Sequence, residues 1–119
     1  MYDSITDFAE NGIPKLEEIQ KTFMKSPSHL DQLVENVKQV LFAFGCQIIS
    51  ETLKECNTMI ENSIKRRSHW HIKDRAERTL LTSMGLIRFP HTRYAKKETR
   101  ETVYLLDRIL ELPDRKSVV

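Results

Sequence analysis

Apolar residues in the first half of the chain recur with the period of an α-helix. From residue 27 to residue 64 they keep steps of three and four for about nine turns, so one side of a single helix is apolar throughout. Ser26, Pro27 and Asp31 supply a capping residue, a first-turn proline and an acid near the positive end of the helix dipole. The pattern therefore predicts one long helix over residues 27–64.

The residues before this helix predict two shorter helices. Apolar positions between 5 and 23 fit one helical face, but Asn11, Gly12 and Pro14 interrupt it, and Pro14 suits the first turn of a second helix. The long helix would measure roughly 55 Å, which is more than the rest of a 119-residue chain easily covers. We therefore expect the short helices to fold back along it or another chain to pack on it. The predicted oligomer seam consists of Val37, Leu41, Phe44 and Ile48.

After residue 64 the pattern changes to short extended runs separated by turn residues. Residues 79–82 and 86–94 are predicted strands, joined by a tight turn that uses the conformational freedom of Gly85. Ile87 and Phe89 share one face of the second strand and Arg88 points to the other, because side chains alternate along a strand. Pro90 marks this strand as an edge strand or a bulge, since proline cannot donate to a ladder.

These elements predict an α+β fold in three parts. Residues 1–64 are helical, and residues 65–113 form a small antiparallel β-meander that ends in a short helix. Within the meander, residues 96–101 are a second turn, 102–105 a third strand and 106–112 the helix, which Pro113 ends. Residues 114–119 are interpreted as a linker or the start of a further domain.

Charge is distributed unevenly along the chain. The net charge of +2 combines −5 over residues 1–64, +8 over residues 65–100 and −1 over residues 101–119. A basic segment between acidic ones is expected where one patch meets a polyanion, and double-stranded DNA is the first candidate partner. The alternative is an ordinary solvated surface. The candidate phosphate contacts are Arg66, Arg67, Arg75, Arg78, Arg88, Arg93, Lys96 and Lys97.

Metal binding and catalysis have little support in the residue pattern. His69 and His71 fall on one side of an extended segment, but no cysteine pair accompanies them, so we predict neither a metal site nor a cofactor. Asp74, Glu77 and Asp107 lie near many basic residues, and we expect them to be ion-pair partners rather than catalytic acids.

The remaining special residues point to an intracellular protein with a small core. Trp70 and Tyr104 are expected in that core, because small β subdomains need aromatic side chains to bury. Cys46 and Cys56 are ten positions apart on one helix, roughly 15 Å, and cannot form a disulfide with each other. No signal peptide or membrane span is evident, so we expect a cytoplasmic protein without a membrane partner.

The basic segment carries a recognisable pattern. Residues 75–112 resemble the N-terminal region of the ISLre-type insertion-sequence transposases of Firmicutes, which show Arg-Thr-x-x-Thr-x-x-Gly-acid-Val/Ile-x-Phe-x-Arg-x-x-Tyr and then Lys-Glu-Thr-Gly-x-Tyr-Val-Tyr-Leu-Leu-Asp. The chain departs from this pattern where Leu86 replaces the usual acid, where His91 stands at the place in which the family tends to have arginine, and where Arg100 replaces the glycine of the second turn. The matching residues are Arg78, Thr79, Thr82, Gly85, Ile87, Phe89, Tyr94, Lys97, Glu98, Thr99, Val103, Tyr104, Leu105, Leu106 and Asp107.

The resemblance implies a function that the residue pattern alone does not name. Such transposases cut DNA with a metal-binding acidic triad on a downstream domain, and this chain ends before that domain. The expectation is a bacterial, nucleoid-associated, DNA-binding and oligomerising N-terminal region that is not itself an enzyme. A divalent metal is implied only for the absent catalytic domain, and no small-molecule ligand is expected. The alternative is a helical protein-interaction module with a merely solvated basic flank.

Overall fold

The computed structural model of this chain describes residues 3–112. Helices come first and an antiparallel sheet follows, so the predicted α+β class and the order of its elements are confirmed. The predicted linker over residues 114–119 lies outside the described residues. The elements are α1 (Asp3–Asp7), a π-helical segment (Phe8–Gly12), α2 (Ile13–Lys25), α3 (Leu30–Glu61), α4 (Ile64–His69), β1 (Trp70–Thr82), β2 (Gly85–Lys96), β3 (Thr102–Tyr104) and α5 (Leu105–Ile109).

The first two helices are joined without the predicted break. A π-helical segment connects α1 to α2, and Pro14 lies in the first turn of α2, where its missing N–H costs little. A Cβ at Gly12 would lie 2.3 Å from Cδ1 of Phe8, so glycine lets that ring approach the backbone. The Phe8 ring then stacks on Phe44, with ring centroids 4.3 Å apart. The interruption in the sequence is therefore a close contact inside a continuous helical run.

The long helix α3 is shorter than predicted at both ends. It begins at Leu30 rather than residue 27, because His29 has a left-handed backbone with φ 57°. It ends at Glu61, and the hydroxyl of Ser63 accepts a hydrogen bond from the N–H of Arg66 to start α4. The chain forms two compact units that divide after Ile48, within α3.

The three strands form an antiparallel sheet in the order β1-β2-β3, which confirms the β-meander. Thr82 pairs with Gly85, so Ser83 and Met84 are the turn, and Gly85 has φ 133° as its predicted role requires. β1 begins at Trp70 and not at residue 79, with an irregularity between Ile72 and Asp74. Its first half was missed because it is charged and lacks alternating apolar residues.

The core of the second unit confirms the predicted faces of β2. Ile87 and Phe89 are 3% and 1% exposed, whereas Arg88 is exposed. Tyr94 is also fully buried, whereas the predicted core residues Trp70 and Tyr104 are only half-buried. The core also includes Leu80, Ala95 and Leu106.

The last turns of α3 cover one edge of β2. The backbone N–H groups of Arg88 and Thr92 donate to the side chains of Ser50 and Asn57 at 3.2 Å each. Pro90 lies midway between these two donors, at the position where a strand would present another N–H to the same edge. The prediction that Pro90 marks an edge strand or a bulge is therefore wrong, because β2 is the middle strand of the sheet. Pro90 is tolerated because β3 pairs only with residues 93–95, and polar side chains of α3 accept from the strand N–H groups on either side of it.

Candidate nucleic-acid interface

The eight predicted phosphate contacts divide into two groups of four. The four arginines on the strands each face a carboxylate of the same unit, whereas the other four cations lie where α4 meets the ends of β1 and β2. The strand pairs are Arg75 with Glu61, Arg78 with Asp107, Arg88 with Glu77, and Arg93 with Asp74. Asp74, Glu77 and Asp107 are thus ion-pair partners, as predicted.

Arg78 is buried and is unsuited to contact a phosphate. Its Nη1 donates to Oδ2 of Asp107 at 2.5 Å, and both side chains are about nine-tenths buried. Nδ1 of His91 lies 3.1 Å from both oxygens of the same carboxylate, and its ring stacks on Tyr104 with centroids 3.8 Å apart. These groups line a cavity of about 820 Å³. We therefore remove Arg78 from the phosphate contacts and assign it to the packing of α5 on the sheet.

Arg75 and Arg93 are held by two-point contacts to carboxylates. Arg75 donates from Nε and Nη2 to the two oxygens of Glu61 at 3.0 Å each, and Arg93 contacts both oxygens of Asp74. The bond from Arg75 is the main cause that lowers the pKa of Glu61, against the opposing effect of burial. The bond from Arg93 likewise lowers the pKa of Asp74. A phosphate would have to compete with a carboxylate at each of these arginines.

Arg66 mainly joins elements to one another. Its guanidinium donates to the carbonyl oxygen of Glu61 at the end of α3 and lies 3.5 Å from that of Trp70 at the start of β1. Arg66 therefore positions α4 between the helix and the strand, and its charge is partly occupied by carbonyl oxygens.

Three of the predicted contacts remain, Arg67, Lys96 and Lys97, and together with Lys65 and Arg100 they form what we call the basic cluster. The backbone brings them together, because Lys96 pairs with Trp70 in the sheet and the N–H of Arg100 donates to the carbonyl of Lys96 at 2.9 Å. Nζ of Lys97 donates to the carbonyl of Arg67 at 2.7 Å. Within residues 3–112, none of the five has a carboxylate within 4 Å.

The sequence prediction omitted two members of the basic cluster, Lys65 and Arg100. Both are exposed and both lie inside the +8 segment, so the charge count contained them. Arg100 lies beside Lys96 through the turn before β3, and Lys65 lies on α4, whose last residue, His69, accepts a hydrogen bond from the N–H of Lys97. The sequence pattern does not bring these segments together. Trp70, the one tryptophan of the chain, lies beside this cluster with Nζ of Lys96 5.8 Å from its ring centroid.

Among the described residues there is neither a group of three metal-ligating side chains nor a helix that could span a membrane. No three His, Cys, Asp or Glu side chains between residues 3 and 112 are grouped so that they could hold a metal. None of the helices in that range combines the length and the apolar character needed to cross a bilayer.

Comparison with known proteins finds relatives that are considerably longer. The family model described as "Uncharacterised protein family (UPF0236)" matches residues 24–119. Three curated UPF0236 proteins of Caldanaerobacter subterraneus subsp. tengcongensis are similar to the chain, with identities of 24%, 24% and 26%. The matches cover 88%, 92% and 92% of the chain but 23%, 24% and 24% of the relatives. The chain thus spans about a quarter of the length of the curated relatives it matches. No solved structure matches it.

Proposed function

This chain belongs to UPF0236, an uncharacterised protein family, and we propose that it is the DNA-associated, oligomerising and non-catalytic N-terminal region of an insertion-sequence transposase. The observation that carries the proposal is the basic cluster, five cations that the backbone gathers at one end of the sheet without carboxylate partners among the described residues. Unpaired cations at this density favour a phosphate backbone, because each neutralised phosphate releases condensed counterions.

Two further observations support the proposal that the chain belongs to a protein of a mobile element. The second half of the chain resembles the ISLre-type pattern, and the first and last matching residues, Arg78 and Asp107, form the buried ion pair. One curated relative bears eleven designations in a single bacterial strain, and another bears four. Repeated designations of one protein in one strain are typical of an insertion sequence present in several copies.

Oligomerisation is proposed through α3. Of the predicted seam residues, Leu41 is exposed, Val37 and Ile48 are half-buried, and Phe44 packs on Phe8. Leu30 and Val34, exposed by 67% and 56%, extend the same row of positions with spacings of four, three, four and three up to Phe44. This spacing is that of a coiled-coil seam.

The test of DNA binding is its salt dependence on a short duplex, followed by fluorescence anisotropy. If the five cations of the basic cluster each neutralise one phosphate, the logarithm of the association constant should fall with the logarithm of salt concentration with a slope of about −4.5. Binding that is indifferent to salt would contradict the proposal.

A pair of matched variants tests where the DNA lies. Arg67→Ala/Lys97→Ala/Arg100→Ala should reduce the slope to about −2 and weaken binding to all sequences alike. Arg75→Ala/Arg88→Ala/Arg93→Ala removes the same charge from the strand ion pairs and should change the slope far less. Equal losses in both variants would show that the basic cluster is not the contact surface.

The alternative function is a protein-interaction module in which α3 binds another chain. The exposed row of Leu30, Val34 and Leu41 favours it. A chain that oligomerises but binds duplex DNA without salt dependence would support this alternative.

A further inference from the structure

The outer edge of β1 is a strand edge that no other described strand pairs with. β1 has 13 residues and is the first strand of the sheet, so within residues 3–112 only its inner edge is paired. Residues 73–77 are all exposed. An unpaired strand of this length presents a row of N–H and C=O groups that can pair with another strand.

The hydrogen bonds of β2 show which residues of β1 face outward. Arg88 and Thr92 direct their N–H groups toward α3 and hence away from β1, so Phe89 and His91 direct theirs toward β1. His91 is one of these, and it pairs with Ala76. Ala76 therefore bonds inward, and its neighbours Arg75 and Glu77 present their backbone groups to the open edge.

If a second copy of the chain pairs with this edge, one antiparallel register places each charged residue opposite a residue of the other sign. With a two-fold axis at Ala76, Arg75 of one copy lies opposite Glu77 of the other, and Asp74 lies opposite Arg78. A shift of two residues would place Arg75 opposite Arg75 or Glu77 opposite Glu77, and like charges directly opposite are destabilising. A shift of one residue would put inward-facing groups opposite outward-facing ones.

The size of Ala76 fits the same register. In this arrangement the two Ala76 residues form a non-hydrogen-bonded pair, in which the Cα atoms approach to about 4.5 Å. An exposed alanine allows that approach. Arg75 already binds Glu61 and Glu77 already contacts Arg88, so the new contacts would join these pairs into one network of alternating charge across the two copies.

We propose that a second copy of this chain pairs with β1, antiparallel and centred on Ala76, to form a continuous six-stranded sheet. The pairing segment is residues 74–78, bounded by the irregularity between Ile72 and Asp74. This interface is separate from the α3 seam and does not depend on DNA binding.

Disulfide trapping in the full chain tests the register. Ala76→Cys should form a cross-linked dimer under mild oxidation about tenfold faster than His71→Cys, because only residue 76 meets its own copy within disulfide distance. His71 is an exposed position on the same strand and serves as the matched control. The unsubstituted chain controls for cross-links through Cys46 and Cys56, both partly accessible. Equal rates for the two variants would overturn the proposal.

Charge variants in the Ala76→Cys background test the proposed pairing. Arg75→Glu and Glu77→Arg should each lower the cross-linking rate, since each places like charges opposite one another. Mixing the two variants should restore cross-linking as heterodimers, because residues 75 and 77 are then both acidic in one copy and both basic in the other. Thermal unfolding of each variant checks that it is folded. Cross-linking rates that are unchanged by Arg75→Glu and Glu77→Arg would contradict the interface. A mixture of the two variants that does not cross-link would contradict it as well.

Discussion

Gly85 determines the geometry of the hairpin through a single backbone torsion. Its φ of 133° is a conformation that L side chains rarely adopt, and the hydroxyl of Thr82 donates to its carbonyl at 2.7 Å. We expect Gly85→Val to lower the free energy of unfolding by about 1–3 kcal/mol, measured by chemical denaturation. Ser83→Ala, in the same turn, should have little effect. A Gly85→Val protein as stable as the unsubstituted chain would show that this torsion does not hold the turn.

Arg100 has a left-handed backbone although it is not a glycine. Its φ is 63°, at the place where the ISLre-type pattern has glycine. Arg100→Gly should relieve the torsion and raise the unfolding free energy by up to about 1 kcal/mol, while it weakens duplex binding through loss of a cation. Thr99→Gly is the matched control and should not stabilise. A variant that binds DNA unchanged would remove Arg100 from the basic cluster.

At the scale of elements, the end of α3 is clamped to the sheet by polar side chains. Asn57 exchanges two hydrogen bonds with Thr92, and the carboxylate of Glu61 accepts from Arg75 and from the Thr92 hydroxyl. These bonds join residues 14 to 35 positions apart and place the end of the helix along β2. Loss of a buried hydrogen-bond partner is expected to destabilise the whole second unit.

The pKa of Glu61 makes this clamp sensitive to acid. Because the pKa is lower in the folded chain than its ordinary value of 4.5, the carboxylate stabilises the fold fully above about pH 4.5 and loses this contribution as the pH falls through the folded pKa. Glu61→Gln should be less stable than the unsubstituted chain at pH 7 by about 1–3 kcal/mol, and the difference should shrink at pH 3. Denaturation curves at both pH values measure it, and a difference independent of pH would contradict the role of the carboxylate.

At the scale of the whole molecule, the assembly proposed through α3 can be tested without unfolding the chain. Val34 is 56% exposed, so Val34→Asp should leave the monomer folded but place a charge in the seam and dissociate the oligomer. Met59→Asp changes a 67% exposed residue of the same helix outside the seam and is the control. Sedimentation over a range of concentrations measures both. An oligomer that survives Val34→Asp would exclude the seam.

The local part of the site could be predicted from the sequence and the long-range part could not. Gly85 and the faces of Ile87 and Arg88 follow from turn chemistry and the two-residue period of a strand. The ion pairs of Arg75 and Arg78 join segments 14 and 29 residues apart, so no local pattern encodes them. A count of charge therefore located the basic segment but gave too many phosphate contacts.

What the sequence by itself determined is the α+β class, the order of helices and strands, the hairpin turn and the net charge of each segment. These depend on interactions between residues a few positions apart, for which period, capping and glycine torsions suffice. Only the tertiary structure decided where β1 begins, which arginines are neutralised and which cations stay free. Those outcomes depend on which segments the folded backbone brings into contact, because a charge becomes available to a partner only when no carboxylate of the same chain lies beside it.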